Sequence, residues 1–104
     1  MAERKSIIWG EIAKRQFKKA LIYCQKNDNI VFSFLLVSEV QHTFELILEN
    51  NYIGKQIPKT NFRSILVYSF LIIYEVTDQN IAVILFWNTR KNPKVLKILL
   101  SELT

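Results

Sequence analysis

The sequence predicts an α+β fold in the order β-α-α-β-β-β-α, an antiparallel meander sheet packed against an N-terminal helical hairpin. A short opening strand and two stretches of helical periodicity come first, and three β-rich runs joined by connections of hairpin length follow them. A last helical segment opens on Pro93. At 104 residues the chain fits one domain, 1–104. Half of its residues are hydrophobic and it has only two prolines and two glycines, so it has material for a core and lacks the composition of disorder.

Lys5 to Trp9 is short, partly β-branched and apolar, and Gly10 punctuates its end, which predicts an opening strand. From Glu11, Ala13, Phe17, Ala20 and Cys24 recur at steps of four, three and four, with Ile12 and Leu21 alongside, as on one face of a helix. Lys14, Arg15, Lys18 and Lys19 fall mainly off that stripe and give the helix a cationic outer side. The polar break Lys26-Asn27-Asp28-Asn29 offers Asn27, Asp28 or Asn29 as cap for a second helix running to about Asn50. Its stripe is Val37, Val40, Phe44, Ile47 and Leu48, while Ile30 to Val37 is apolar almost all round. Two apolar sides imply burial against two things, one of them a partner.

Asn50 to Pro58 is a loop by its Asn, Gly and Pro content. Phe62 to Val67, Phe70 to Val76 and Ile81 to Trp87 are the three β-rich runs, joined by Tyr68-Ser69 and by Thr77-Asp78-Gln79-Asn80. The third run is nearly continuous in apolar residues, as expected of a strand covered on both faces. Beyond Pro93, Val95, Leu96, Leu99, Leu100 and Leu103 keep helical spacing.

Several function classes are disfavoured. No uninterrupted apolar stretch approaches the roughly 18 to 20 residues of a membrane span, since Ser38, Glu39 and Glu75 break the candidates. The start, Met1 to Lys5, leads into an apolar patch too short for a signal-peptide core, so a cytoplasmic protein is expected. Cys24 is the only cysteine and reads as a small buried hydrophobe. Nothing has metal-ligand spacing, and neither metal nor other cofactor is expected. The net charge of +5 gathers at Lys14 to Lys26 and at Arg90 to Lys97, two basic surfaces fit for nucleic acid or an acidic protein.

The element order at this length resembles the RelE/ParE superfamily of type II toxin–antitoxin toxins, closer to the ParE branch, over nearly the whole chain. The resemblance is carried by Ile7-Ile8-Trp9 with Ala13-Lys14 and Phe17, by Glu45 to Asn50 through Ile53-Gly54, and most specifically by Phe62-Arg63-Ser64-Ile65-Leu66-Val67, Leu71 to Val76, Val83 to Trp87 and Thr89-Arg90-Lys91-Asn92-Pro93. The chain departs from the family's pattern at Asn51, often proline, at Tyr68-Ser69, often glycine, and at the start of helix two, commonly charged. The resemblance implies a toxin neutralised by a cognate antitoxin, as a homodimer or as a hetero-oligomer with it. Its target is DNA gyrase in the ParE branch and messenger RNA on the ribosome in the RelE branch.

RelE-like cleavage needs a base for the RNA 2′-hydroxyl, an acid for the departing oxygen and cations beside the phosphorane. The positions the RelE branch uses correspond here to Leu71, Arg90 and Leu96, so two of three groups are absent, and the resemblance favours ParE-like gyrase inhibition. No catalytic residue is assigned firmly; Arg63, Arg90 and Lys91 are candidates, with cover of an edge strand the competing reading of Arg63. Target contact is expected at Arg90, Lys91, Lys94 and Trp87, although Trp87 also suits a core with Val83 and Leu85 on its face. Antitoxin contact is expected at Lys14, Lys18, Phe32 and Leu36. Tyr74 reads as packed, His42 as solvated or packed, and Glu45 with Glu49 as a hydrated face. An RNA-binding module of another class and an oligomerising structural protein are the alternatives; a small acidic reading frame beside the gene favours the toxin.

Overall fold

The computed structural model describes residues 4–27 and 29–104; Met1 to Glu3 and the capping candidate Asp28 lie outside the described residues. The chain runs β1 (Ser6–Trp9), α1 (Glu11–Lys26), α2 (Ile30–Glu49), β2 (Lys55–Gln56), β3 (Phe62–Val67), β4 (Phe70–Val76), β5 (Asn80–Asn88) and α3 (Pro93–Leu103). The strands make one sheet in the order β1-β5-β4-β3-β2. The meander β3-β4-β5 is antiparallel as expected, and β1 pairs parallel with β5, Ser6 opposite Asn80 and Trp9 opposite Val83. The stretch expected as loop contains one further short strand, β2, whose Lys55 and Gln56 pair with Ser64 and Arg63.

Each helix follows from its sequence. Gly10 stands before α1 because its N–H donates to the Val83 carbonyl at 2.8 Å and a Cβ there would meet that oxygen at 2.9 Å. Ala13 and Cys24 are buried, with Phe17, Ala20 and Leu21 packed against the core beside them. Asn29 caps α2, its Oδ1 accepting from Phe32 N–H at 3.3 Å, which satisfies one of the free donors of the first turn. Asn92 does the same for α3, accepting from Lys94 N–H at 2.9 Å, with Pro93 in the first turn where its missing N–H costs nothing.

The buried stripe of α2 is Ser33, Leu36, Val40, Thr43, Phe44 and Ile47, so the core side at its start is set by Ser33 and Leu36. Ile30, Val31, Phe34 and Leu35 are exposed: one of the two apolar sides is packed and the other is open. By length and composition this helix would pass as a bilayer span despite Ser38 and Glu39. Here one face of it is sealed on the sheet.

The sheet carries a core on each side. Ile72, Tyr74, Ile81, Val83 and Phe86 face α1 and α2, while Phe62, Ile73 and Leu85 face α3 through Leu96, Leu99 and Leu100. Between them β5 bulges. Ile73 pairs with Leu85 but Tyr74 pairs with Val83, so Ile84 is the extra residue. The bulge puts Val83 and Phe86 on one face, and it corrects the expectation that Val83, Leu85 and Trp87 share one.

Candidate functional site

The length mismatch between β1 and β5 opens a groove. β1 stops at Trp9 opposite Val83, so the rest of β5 has no strand neighbour on that edge. α1 lies across it instead, and Gln16 Oε1 accepts from Phe86 N–H at 2.8 Å in place of a strand carbonyl. Between α1, the start of α2, the turn at Ser69 and the end of β5 lies a groove of about 720 Å³. Its floor is Phe70 and Phe86, stacked with ring centroids 4.7 Å apart, with Ile12 and Ala20 beside them. Phe32 stands at one end, braced edge-on against Tyr68 at 5.0 Å. Tyr23 is the exposed aromatic at the mouth.

The polar rim is nearly all donor. Arg15 and Lys19 enter from α1, Arg90 and Lys91 from the β5–α3 connection. Among the described residues the one ion pair is Arg4 with Glu45, so these four cations have no carboxylate partner, and no carboxylate is among the described lining residues. The amide oxygens of Gln16, Asn29 and Asn88 are taken by the backbone N–H groups of Phe86, Phe32 and Arg90, which turns their NH₂ ends outward as donors. Asn27 is the reverse case, its nitrogen held by the Tyr23 carbonyl at 2.8 Å. Such a rim selects a ligand rich in acceptors or negative charge.

The expected site residues separate. Arg90, Lys91 and Phe32 come together in the groove. Lys14 and Lys18 are exposed on α1 but are not among its lining, because a step of one along the helix turns the side chain by about 100°. Lys94 is exposed on the first turn of α3, also off the groove. Leu36 is 0% exposed and belongs to the core, so it is corrected from partner surface to packing residue. Of the two readings of Trp87 its burial favours the core over target contact: it is 4% exposed, and what it offers is a ring face on which the Lys91 ammonium sits at 5.7 Å. Arg15 and Lys19, half of the cationic rim, belong to the cationic side expected of this helix but were not singled out as site residues; their i, i+4 strip beside Ile12, Ala20 and Tyr23 is the signal that separates them from Lys14 and Lys18.

Arg63 is engaged elsewhere. Its Nη1 donates to the carbonyls of Gly54 at 2.9 Å and Tyr52 at 3.3 Å, and its guanidinium lies 4.9 Å over the Tyr52 ring. Beside it the Tyr74 hydroxyl donates to the Asn51 carbonyl and accepts from Gly54 N–H, both at 2.9 Å. A Cβ on Gly54 would meet that hydroxyl at 2.7 Å, which is why glycine stands there. Arg63 and Tyr74 thus fasten the loop after α2 to the sheet. Tyr74→Phe should cost about 1–3 kcal/mol, since it leaves an amide and a carbonyl without their partner; a denaturant melt checks this.

Burial holds the Tyr74 phenol above its ordinary value, against the smaller opposing effects of the Gly54 hydrogen bond and the Arg63 charge. The folded state therefore favours the neutral hydroxyl. Its contribution is fully present below the unfolded-state value of about 10 and is lost as pH rises through the folded-state value. Alkaline unfolding should steepen in that window, and Tyr74→Phe should remove this part of the slope.

A family model described as ParE toxin of type II toxin-antitoxin system, parDE, matches residues 7–93. A solved structure described as a chromosomal ParDE TA system from P. aeruginosa superposes with a TM-score of 0.69 over 84% of this chain and 98% of that one. At 11% sequence identity that is a likeness of fold. No curated protein matches the chain.

Proposed function

This chain belongs to the ParE toxin family of type II toxin–antitoxin systems, and we propose that it is a cytoplasmic toxin that inhibits DNA gyrase and is held inert by its antitoxin. The observation that carries the choice of target is the place of the two positions where the RelE branch has arginine and tyrosine. Leu71 and Leu96 pack in the apolar core under α3, against Phe62, Ile73 and Leu85. No general acid or base stands there, whereas general acid–base help is worth about a hundredfold to ten-thousandfold. What the chain offers is binding surface: unpaired cations at the end of β5 and the open apolar side of α2 at Ile30, Val31, Phe34 and Leu35. The first suits contact with the target, the second an antitoxin segment that folds on docking.

Purified protein should inhibit supercoiling by gyrase, and Arg90→Ala with Lys91→Ala should weaken inhibition about 100-fold or more, two charge-assisted contacts of about 1.5–3 kcal/mol each being lost. Expression of the chain alone should arrest growth, and co-expression of an acidic protein encoded beside it should restore it. Unimpaired gyrase, with growth arrested by another route, would reject the target.

A further inference from the structure

We propose that the groove between α1 and the end of β5 takes a short segment of single-stranded DNA. Its phosphates would lie on Arg15, Lys19, Arg90 and Lys91, and one base against Tyr23 and Phe32 at the mouth. The inference rests on the gyrase reading for where such a segment comes from, since gyrase works on cut DNA, but the binding it describes is a property of this chain alone. The rim is the first argument. Among the described residues, four cations without carboxylate partners line the groove from both banks, and three lining amides whose oxygens accept from backbone N–H groups keep their NH₂ groups free to donate. Phosphodiester oxygens only accept, so their chemistry suits a rim made of donors.

Size is the second argument. An α-helix with side chains is about 10–12 Å across and rises about 5.4 Å per turn, so one turn fills roughly 420–610 Å³. The groove, at about 720 Å³, would hold little more than one turn of an acidic helix, too little to fix its register. The groove itself falls in the range of roughly 300–1,000 Å³ usual for pockets that take a small ligand, the size class of a nucleotide. Tyr23 is exposed and Phe32 half-buried, which leaves ring surface for the sequence-tolerant stacking by which single strands are held.

The test is fluorescence anisotropy of a labelled oligodeoxythymidylate of about eight nucleotides with the purified chain and no gyrase. Binding should weaken with salt, with a log–log slope near −2 to −3, about −0.7 for each of three or four phosphates. Arg15→Ala with Lys19→Ala should lower affinity at least about tenfold at unchanged circular dichroism, while Lys59→Ala with Lys97→Ala, an equal loss of charge away from the groove, should lower it far less. Equal losses in the two pairs would overturn the site, as would tighter binding of the duplex or displacement by polyglutamate at equal charge concentration. Single-strand binding absent while supercoiling is still inhibited would reject this inference alone; binding present with gyrase unaffected would uphold it and reject the gyrase reading.

Discussion

Leu36→Asp is expected to unfold the protein, while Phe34→Asp, two residues away on the same helix, should leave it folded. Leu36 is 0% exposed and packs with Val40, Phe44, Ile72 and Val83, whereas Phe34 is 71% exposed. Removing a buried leucine costs about 2–5 kcal/mol. The aspartate would then carry an unpaired charge into a site with no counter-ion, at a further several kcal/mol. The sum reaches the whole stability of an ordinary domain, about 5–15 kcal/mol. At Phe34 the change stays within about 0.5 kcal/mol. Circular dichroism melts of the two variants decide it, and a cooperative transition near the wild-type temperature in Leu36→Asp would mean that α2 presents another face to the sheet. The same pair separates folding from recognition, because Phe34→Asp should still weaken an antitoxin that covers the open side of α2.

Element order was legible because each element carries a strong local signal: a stripe at steps of three and four in α1, β-rich runs of six and seven residues in β3 and β4, a proline at the head of α3. What escaped depends on pairs of elements. The start of α2 is apolar on every side, so composition could not say whether Leu36 or Phe34 turns inward; the packing with Ile72 and Val83 decides it. The bulge at Ile84 inverts the alternation of β5 halfway along, and an unbroken apolar run gives no hint of it. The groove arises from the difference in length between β1 and β5, which is visible only once their parallel register is known. Arg63 looked like a free cation at an edge strand, yet its use is to close a loop eleven residues back, at Tyr52.

In a translating-ribosome assay this chain should cut no messenger RNA above background, and the double variant Leu71→Arg with Leu96→Tyr should not start to. Two positions that hold polar groups in the RelE branch are apolar here, and general acid–base help is worth about 10²–10⁴-fold. An electrostatic partner for the phosphorane adds a comparable factor. A nuclease lacking both would run many orders of magnitude below a competent one. Restoring the side chains does not restore the site, because β4 turns residue 71 toward α3, where it lies opposite Trp87 and beside Ile73 and Leu85, and residue 96 sits on α3 against the same core. An arginine there faces apolar neighbours, on the other side of the sheet from the groove floor of Phe70 and Phe86. The expected result is therefore lower stability and no gain in cleavage. Cleavage appearing in the double variant, or present already in the native chain and lost in Arg90→Ala, would show that the RelE chemistry is latent in this fold and would move the target from gyrase to the ribosome.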